Sequence, residues 1–276
     1  MNVLISFLIL LFYIFSFLFY FLSFIKGVDS LKKWAFAFLI FGYALHTCDV
    51  FTRFFMFHTS LFSQGKFYFN LLAWCFLSIY LILFWKFKTS FLALTISPIS
   101  TLVYISSLTI NTNSLPYPYK MRFLWFLFHV TFSFFSISLM AVAFGAGILY
   151  VYLDKQLKNK VKPSNFRKKI PSLMAIDNIN KWAVLIGFPL FTIGMFSGFI
   201  WAGFTWGRFF SADPKEIISI IIWLFFAYLF HQRFAIGWKG KKTAVLAIWL
   251  FLLSLFSLVI INFYIPTHHS FTKVLS

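Results

Sequence analysis

Acidic charge is nearly missing from this chain. Its 276 residues include 24 Lys and Arg but only six Asp and Glu, and charged side chains of both signs make up 11%. A soluble domain of this size carries about twice that share. With 61% of residues hydrophobic and 24% aromatic, water cannot solvate the whole surface, and lipid must cover much of it. Soluble two-domain folds are thereby excluded. Cysteine is also scarce: Cys48 and Cys75 both lie inside apolar runs, which excludes a disulfide scaffold. No basic stretch precedes the first apolar run and no small-residue cleavage site follows it, so the N-terminus reads as a retained span. Metal-peptidase, P-loop, nucleophile-elbow and zinc-cysteine patterns are absent.

What is present is a series of apolar runs near 2–25, 34–57, 67–85, 90–108, 123–152, 183–205, 217–236 and 244–265. About 20 apolar residues cross a hydrocarbon core roughly 30 Å thick. Backbone in lipid must satisfy its own hydrogen bonds, and no alternating polar pattern supports barrel strands, so these runs are expected to be helices. The expected fold is an all-α integral membrane protein with about eight transmembrane helices and an outward-facing aromatic loop. We expect an N-terminal four-helix region over 1–119 and a second four-helix region over 120–276. The 153–182 segment, with Pro163 and Pro171, reads as a solvated linker with a short helix near Ser172–Ile179.

Basic residues sort by connection. Seventeen of the 24 fall on the side holding Lys26, Lys86, the 153–182 segment and Lys239–Lys242. That side should be cytoplasmic, which places both termini outside. The net charge of +18 is then a topology signal, and no nucleic-acid partner is expected.

Six histidines accompany this small set of acids. His129 lies near the outer end of the fifth span, and His268 and His269 follow the eighth. Between them comes the stretch Gly198-Phe-Ile-Trp201-Ala-Gly-Phe-Thr-Trp206-Gly-Arg208-Phe209-Phe210-Ser-Ala-Asp213. Imidazole ligates iron well, and two imidazoles complete the axial coordination of a haem. Phe199, Trp201, Phe204, Trp206, Phe209 and Phe210 suit a porphyrin wall, and equally an interfacial aromatic belt. Arg208 or Lys215 suits a propionate. Asp213, Pro214 and Glu216 read as a helix start with a capping box. Gly194, Gly198 and Ala202 recur every four residues and read as a packing face. His46, Asp49 and Arg53 share one face of the second span, as an intramembrane functional group or a buried polar staple. His231 sits one turn from the inner end of the seventh span, and His58 reads as a surface residue.

The run Trp206-Gly207-Arg208-Phe209-Phe210-Ser211-Ala212-Asp213-Pro214-Lys215-Glu216 resembles the tryptophan-rich signature of the cytochrome c assembly family. That family holds the CcsA/ResC-like haem-handling proteins and the HemX-like branch. Gly187-Phe-Pro-Leu-Phe-Thr-Ile-Gly194, Ser197-Gly198-Phe-Ile-Trp201-Ala202, Leu229-Phe-His231-Gln-Arg233 and Gly237-Trp238-Lys-Gly240-Lys241 are similar to further family elements. So are Phe128-His129-Val130 and His269-Ser270-Phe271, while His46-Thr47 and Leu71-Leu72-Ala73-Trp74 match more loosely. The family loop carries further tryptophans where this chain has Phe210 and Ala212.

The resemblance implies haem as cofactor, with His129 and His269 as axial iron ligands and Trp201, Trp206, Arg208 and Asp213 around it. His231 would be associated with a haem inside the membrane, and His46 is a further cofactor-binding candidate. The implied partners are apocytochrome c, a ResB-type subunit and the lipid bilayer, and the implied setting is a bacterial plasma (inner) membrane or a related organelle membrane. The implied role is a haem-handling subunit of a cytochrome c synthase (haem lyase) complex. A HemX-like regulator of haem biosynthesis is the alternative, with a haem or small-molecule transporter behind it. The topology is checked with reporter fusions: alkaline phosphatase fused after Ser276 is expected to be active, and the same reporter after Lys242 inactive.

Overall fold

The computed structural model describes residues 3–57, 65–109, 120–160, 171–261 and 265. The helices are α1 (Val3–Lys26), α2 (Asp29–Phe57), α3 (Gly65–Phe87), α4 (Ala93–Thr109), α5 (Lys120–Lys158), α6 (Leu173–Trp206), α7 (Pro214–Phe234) and α8 (Lys241–Phe256). A π-helical turn, Ser257–Ile261, continues α8. No strand occurs among the described residues. Among the described residues seven helices are long and apolar enough to cross a membrane; α4, with 17 residues, is a shorter apolar helix. The protein is an all-α integral membrane protein. The 153–182 linker needs correction: α5 runs on to Lys158 and α6 begins at Leu173, so most of its described residues are helical. The expected short helix is the first two turns of α6, at whose start the amide of Ala175 donates to Ser172 Oγ at 3.3 Å.

The chain forms two compact units, Met1–Asn111 with Tyr152–Ala175, and Thr112–Val151 with Ile176–Ser276. In the first unit α1 packs against α2 and α4, and α3 against α4. Gly42 lets α1 come close, since a Cβ there would lie 2.9 Å from Phe12 Cβ and from the Tyr13 ring. The core is aromatic, with Tyr13, Tyr20, Tyr80 and Tyr104 fully buried. Phenols bury large apolar area but need a partner for the hydroxyl. Tyr20 and Tyr80 supply this to each other at 3.3 Å. Ser100 Oγ donates to the Ala73 carbonyl at 2.9 Å, joining α4 to α3.

In the second unit α5 and α6 run antiparallel, joined by three side-chain bonds to backbone carbonyls. Asn180 Nδ2 donates to Ala143 O at 3.2 Å, Ser136 Oγ to Gly187 O at 2.8 Å, and His129 Nδ1 to Gly194 O at 2.7 Å. Successive rungs step seven residues along both helices. Two turns of helix span about that number, so one seam stays in register over the pair. Gly187 also leaves room for Phe226 of α7: a Cβ there would lie 2.9 Å from Phe226 Cζ.

At the Asn180 end a buried cation ties α6, α7 and α8 together. Arg233 Nη2 donates to Asp177 Oδ2 at 2.8 Å and to the Asp177 carbonyl at 2.7 Å. Its Nη1 donates to Thr243 Oγ1 at 2.7 Å, and the amide of Gly240 donates to Asp177 Oδ1 at 2.9 Å. Gly240, the N-cap of α8, has φ +72°, which favours glycine. Replacing Arg233 with Leu leaves the half-buried Asp177 carboxylate without its cation, and the loss of about 3–5 kcal/mol when a fully buried pair is broken is an upper bound here. R233L is expected to lower the midpoint of thermal unfolding in detergent by many degrees, whereas exposed Lys239→Gln leaves it unchanged.

Candidate functional site

On α5, His129 places its ring against α6. A carbonyl oxygen only accepts, so the 2.7 Å bond to Gly194 O requires the proton on Nδ1 and leaves Nε2 with a free lone pair. The ring occupies space opened by Gly198, where a Cβ would sit 2.7 Å from His129 Cε1. The small-residue stripe is thus a seat for this imidazole. Gly194 meets the next turn of α5, since its Cβ would lie 2.6 Å from Ser133 Oγ. Trp201 lies parallel to the His129 ring, at 11° and 6.4 Å between centroids. Trp206 meets Trp201 edge-on at 5.0 Å, and Phe126 approaches Trp201 at 5.0 Å.

The aromatic loop is built for its shape. Gly207 and Ala212 both have left-handed backbone, φ +72° and +57°. Asp213 is the N-cap of α7, its side chain accepting from the Lys215 amide at 2.8 Å, and Pro214 follows it. Glu216 closes the capping box and also accepts from the Ser211 amide at 2.7 Å. That one carboxylate therefore gathers the loop onto the start of α7. Lys215 Nζ donates to Ser257 O at 2.9 Å and to Ser257 Oγ at 3.0 Å, joining the same helix start to the π-turn. Arg208 is exposed.

The aromatic residues divide between two places. Trp201 and Trp206 stand on the His129 side of α6. Phe199, Phe209 and Phe210 instead line an open cleft of about 450 Å³ with Phe196, Ile200 and Ile220. Phe196, Phe199 and Ile200 share one side of α6, and Phe209 and Phe210 reach that side from the loop that follows the helix.

His46 is completely buried. Tyr13 O–H donates to its Nδ1 at 2.8 Å, and its Nε2–H donates to Asn70 Oδ1 at 3.2 Å, so both ring nitrogens are engaged. Arg53 donates from Nε and Nη2 to both Asp49 oxygens, at 2.8 and 2.9 Å. His231 is exposed near the end of α7. His58, His268 and His269 lie outside the described residues. Among the described residues no group of three or more His, Cys, Asp or Glu could hold a metal ion. A haem needs no such cluster, only axial donors, and the His129 Nε2 beside Trp201 and Trp206 fits that requirement.

The residues that sequence pattern did not single out are Asp177, Asn180 and Ser136, and Ser197 stood only within a family element, with no role of its own. Asp177 left one signal, being an acid within the most basic stretch of the chain. The others bond to backbone carbonyls of distant residues or of their own helix, which no spacing rule reveals.

A multispan helical protein with an imidazole set beside paired indoles, and an aromatic loop capped onto the following helix, is the class these features define. The family model of the cytochrome c assembly protein matches residues 64–269, and the chain belongs to that family. Curated relatives are similar over part of their length. The cytochrome c biogenesis protein CcsA of Chlamydomonas reinhardtii is 33% identical over 187 residues, covering 64% of this chain and 50% of that protein. CcsA of Trieres chinensis is 29% identical over 205 residues, covering 63% of this chain and 66% of that one. CcsA of Welwitschia mirabilis is 36% identical over 144 residues, covering 45% of this chain and 47% of that one. The matches thus take in about half to two thirds of those proteins.

Replacing Glu216 with Ala removes the acceptor of Ser211 and the capping box, a loss of about 1 kcal/mol or more. Amide hydrogen exchange at Ser211 and Asp213 is expected to speed up in E216A, with α5 protection unchanged.

Proposed function

We propose that this chain is a haem-handling membrane protein of cytochrome c biogenesis, holding haem at the outer face for attachment to apocytochrome c. The observation that carries this reading is His129, whose Nδ1 is occupied by the Gly194 carbonyl so that Nε2 is offered as a ligand beside Trp201. Metal-binding histidines ordinarily donate their other ring N–H to a carboxylate or carbonyl in this way. Membership of the cytochrome c assembly family and similarity to CcsA proteins support the same reading.

Haem supplies the vinyl groups that accept cysteine thiols and an iron open to two axial donors. The chain's contribution is placement. His129 Nε2 would be one donor to the iron, and His269, by sequence, would be a second. Trp201 and Trp206 form the apolar wall on the His129 side, and exposed Arg208 is the cation suited to a propionate. Orientation of reactants, and not acid–base chemistry, is the source of rate here. Apocytochrome c and a ResB-type subunit are the partners in this reading. The outer face of a bacterial plasma membrane or related organelle membrane is the setting.

A HemX-like regulatory role is the second reading. It is favoured by Phe210, which lines the cleft away from His129, and by Ala212, which offers no ring. The two are separated by covalent c-type haem in cells, measured by haem staining of gels. His129→Ala and His269→Ala are each expected to reduce it at least roughly tenfold, as axial-ligand loss does in haem proteins. Full maturation in both variants overturns the first reading.

A further inference from the structure

We infer that Gly194, Ser197 and Gly198 decide which nitrogen of His129 meets iron and how strongly it donates, with Nε2 as the ligand atom and Ser197 as the residue that sets the iron's potential. The inference rests on the haem-handling reading and adds three residues of α6 to it as positioning residues.

Three constraints act on one ring. The Gly194 carbonyl holds the proton on Nδ1. The missing Cβ at Gly198 leaves the ring its volume, and any side chain there would strike Nδ1 and Cε1. Trp201 lies parallel to the ring, at 11°. The third rung of the α5–α6 seam therefore leaves the imidazole one place and one tautomer.

The same carbonyl has a second donor. Ser197 Oγ lies 3.0 Å from Gly194 O and 2.7 Å from Ile193 O, so its single proton is divided between two acceptors. Ser197 is 3% exposed, leaving little access for water to take its place. Donation from Nδ1–H raises the basicity of the ligating nitrogen. A hydroxyl that draws on the accepting oxygen weakens that donation. Removing the hydroxyl makes Nε2 the stronger donor, favours ferric iron and lowers the midpoint potential.

The test uses the purified full chain in detergent, titrated with hemin and followed by visible and electron paramagnetic resonance spectra and by potentiometry. The wild type is expected to give a low-spin ferric species, lost in H129A. If H129A retains the wild-type spectrum, the haem-handling reading itself fails. G198A is expected to weaken hemin binding at least roughly tenfold and to give a high-spin species that free imidazole returns to low spin. S197A, a small truncation, is expected to keep the low-spin spectrum and shift the midpoint to more negative values. A ligand-deficient H129A together with an unchanged spectrum in G198A, or an unchanged or more positive midpoint in S197A, overturns the positioning inference and leaves the reading of His129 standing.

Discussion

The seam between α5 and α6 governs the rest of the second unit. Three polar side chains reach across it to backbone carbonyls at matching steps of seven residues. Bonds of this kind are hard to replace in a lipid-covered protein, because water is not at hand to take either partner. They also fix rotation and not only distance. A helix turned by one residue would break all three rungs together, so the register that seats Asn180 also seats His129. Gly187 and Gly194 serve as acceptors at two rungs, and their lack of a side chain gives room to Phe226 and Ser133.

Two ion pairs set opposite charges against each other within the helical units. Arg233 and Asp177 meet at 2.8 Å, and Arg53 and Asp49 at 2.8 Å, each pair neutralising a cost that lipid would otherwise impose. Lysines at helix connections rest over rings: Lys32 over Phe24, Lys88 over Trp85 and Lys242 over Trp238, at 4.8 to 5.8 Å with Lys86 over Phe87 included. A long aliphatic stem lies on apolar surface while the ammonium faces polar surroundings. Cation–π attraction adds to this. The basic connections thus carry an aromatic seat as well as a sign.

The aromatic loop shows how little of its form comes from its aromatic rings. Its path is set by left-handed residues at Gly207 and Ala212 and by the Glu216 carboxylate. Phe209 and Phe210 of the loop join Phe196 and Phe199 of α6 in one cleft, and Trp201 and Trp206 pack on each other apart from it. His46 takes the opposite course to His129. Its two nitrogens join α1, α2 and α3 through Tyr13 and Asn70, so it acts as a staple in the first unit.

Apolar run length determined by itself that the chain is helical and lies in a membrane, because backbone in lipid has no other solution of comparable simplicity. Asp213, Pro214 and Glu216 likewise announced the start of α7, since capping is a matter of neighbours in the chain. Charge and proline over 153–182 mark a solvated segment in the sequence, yet they do not forbid the helical turns found at both its ends. Only the tertiary structure decided that His129 has one free nitrogen and His46 none. A tautomer is set by what faces the ring, and here those partners stand 65 residues away for one histidine, and 33 and 24 for the other.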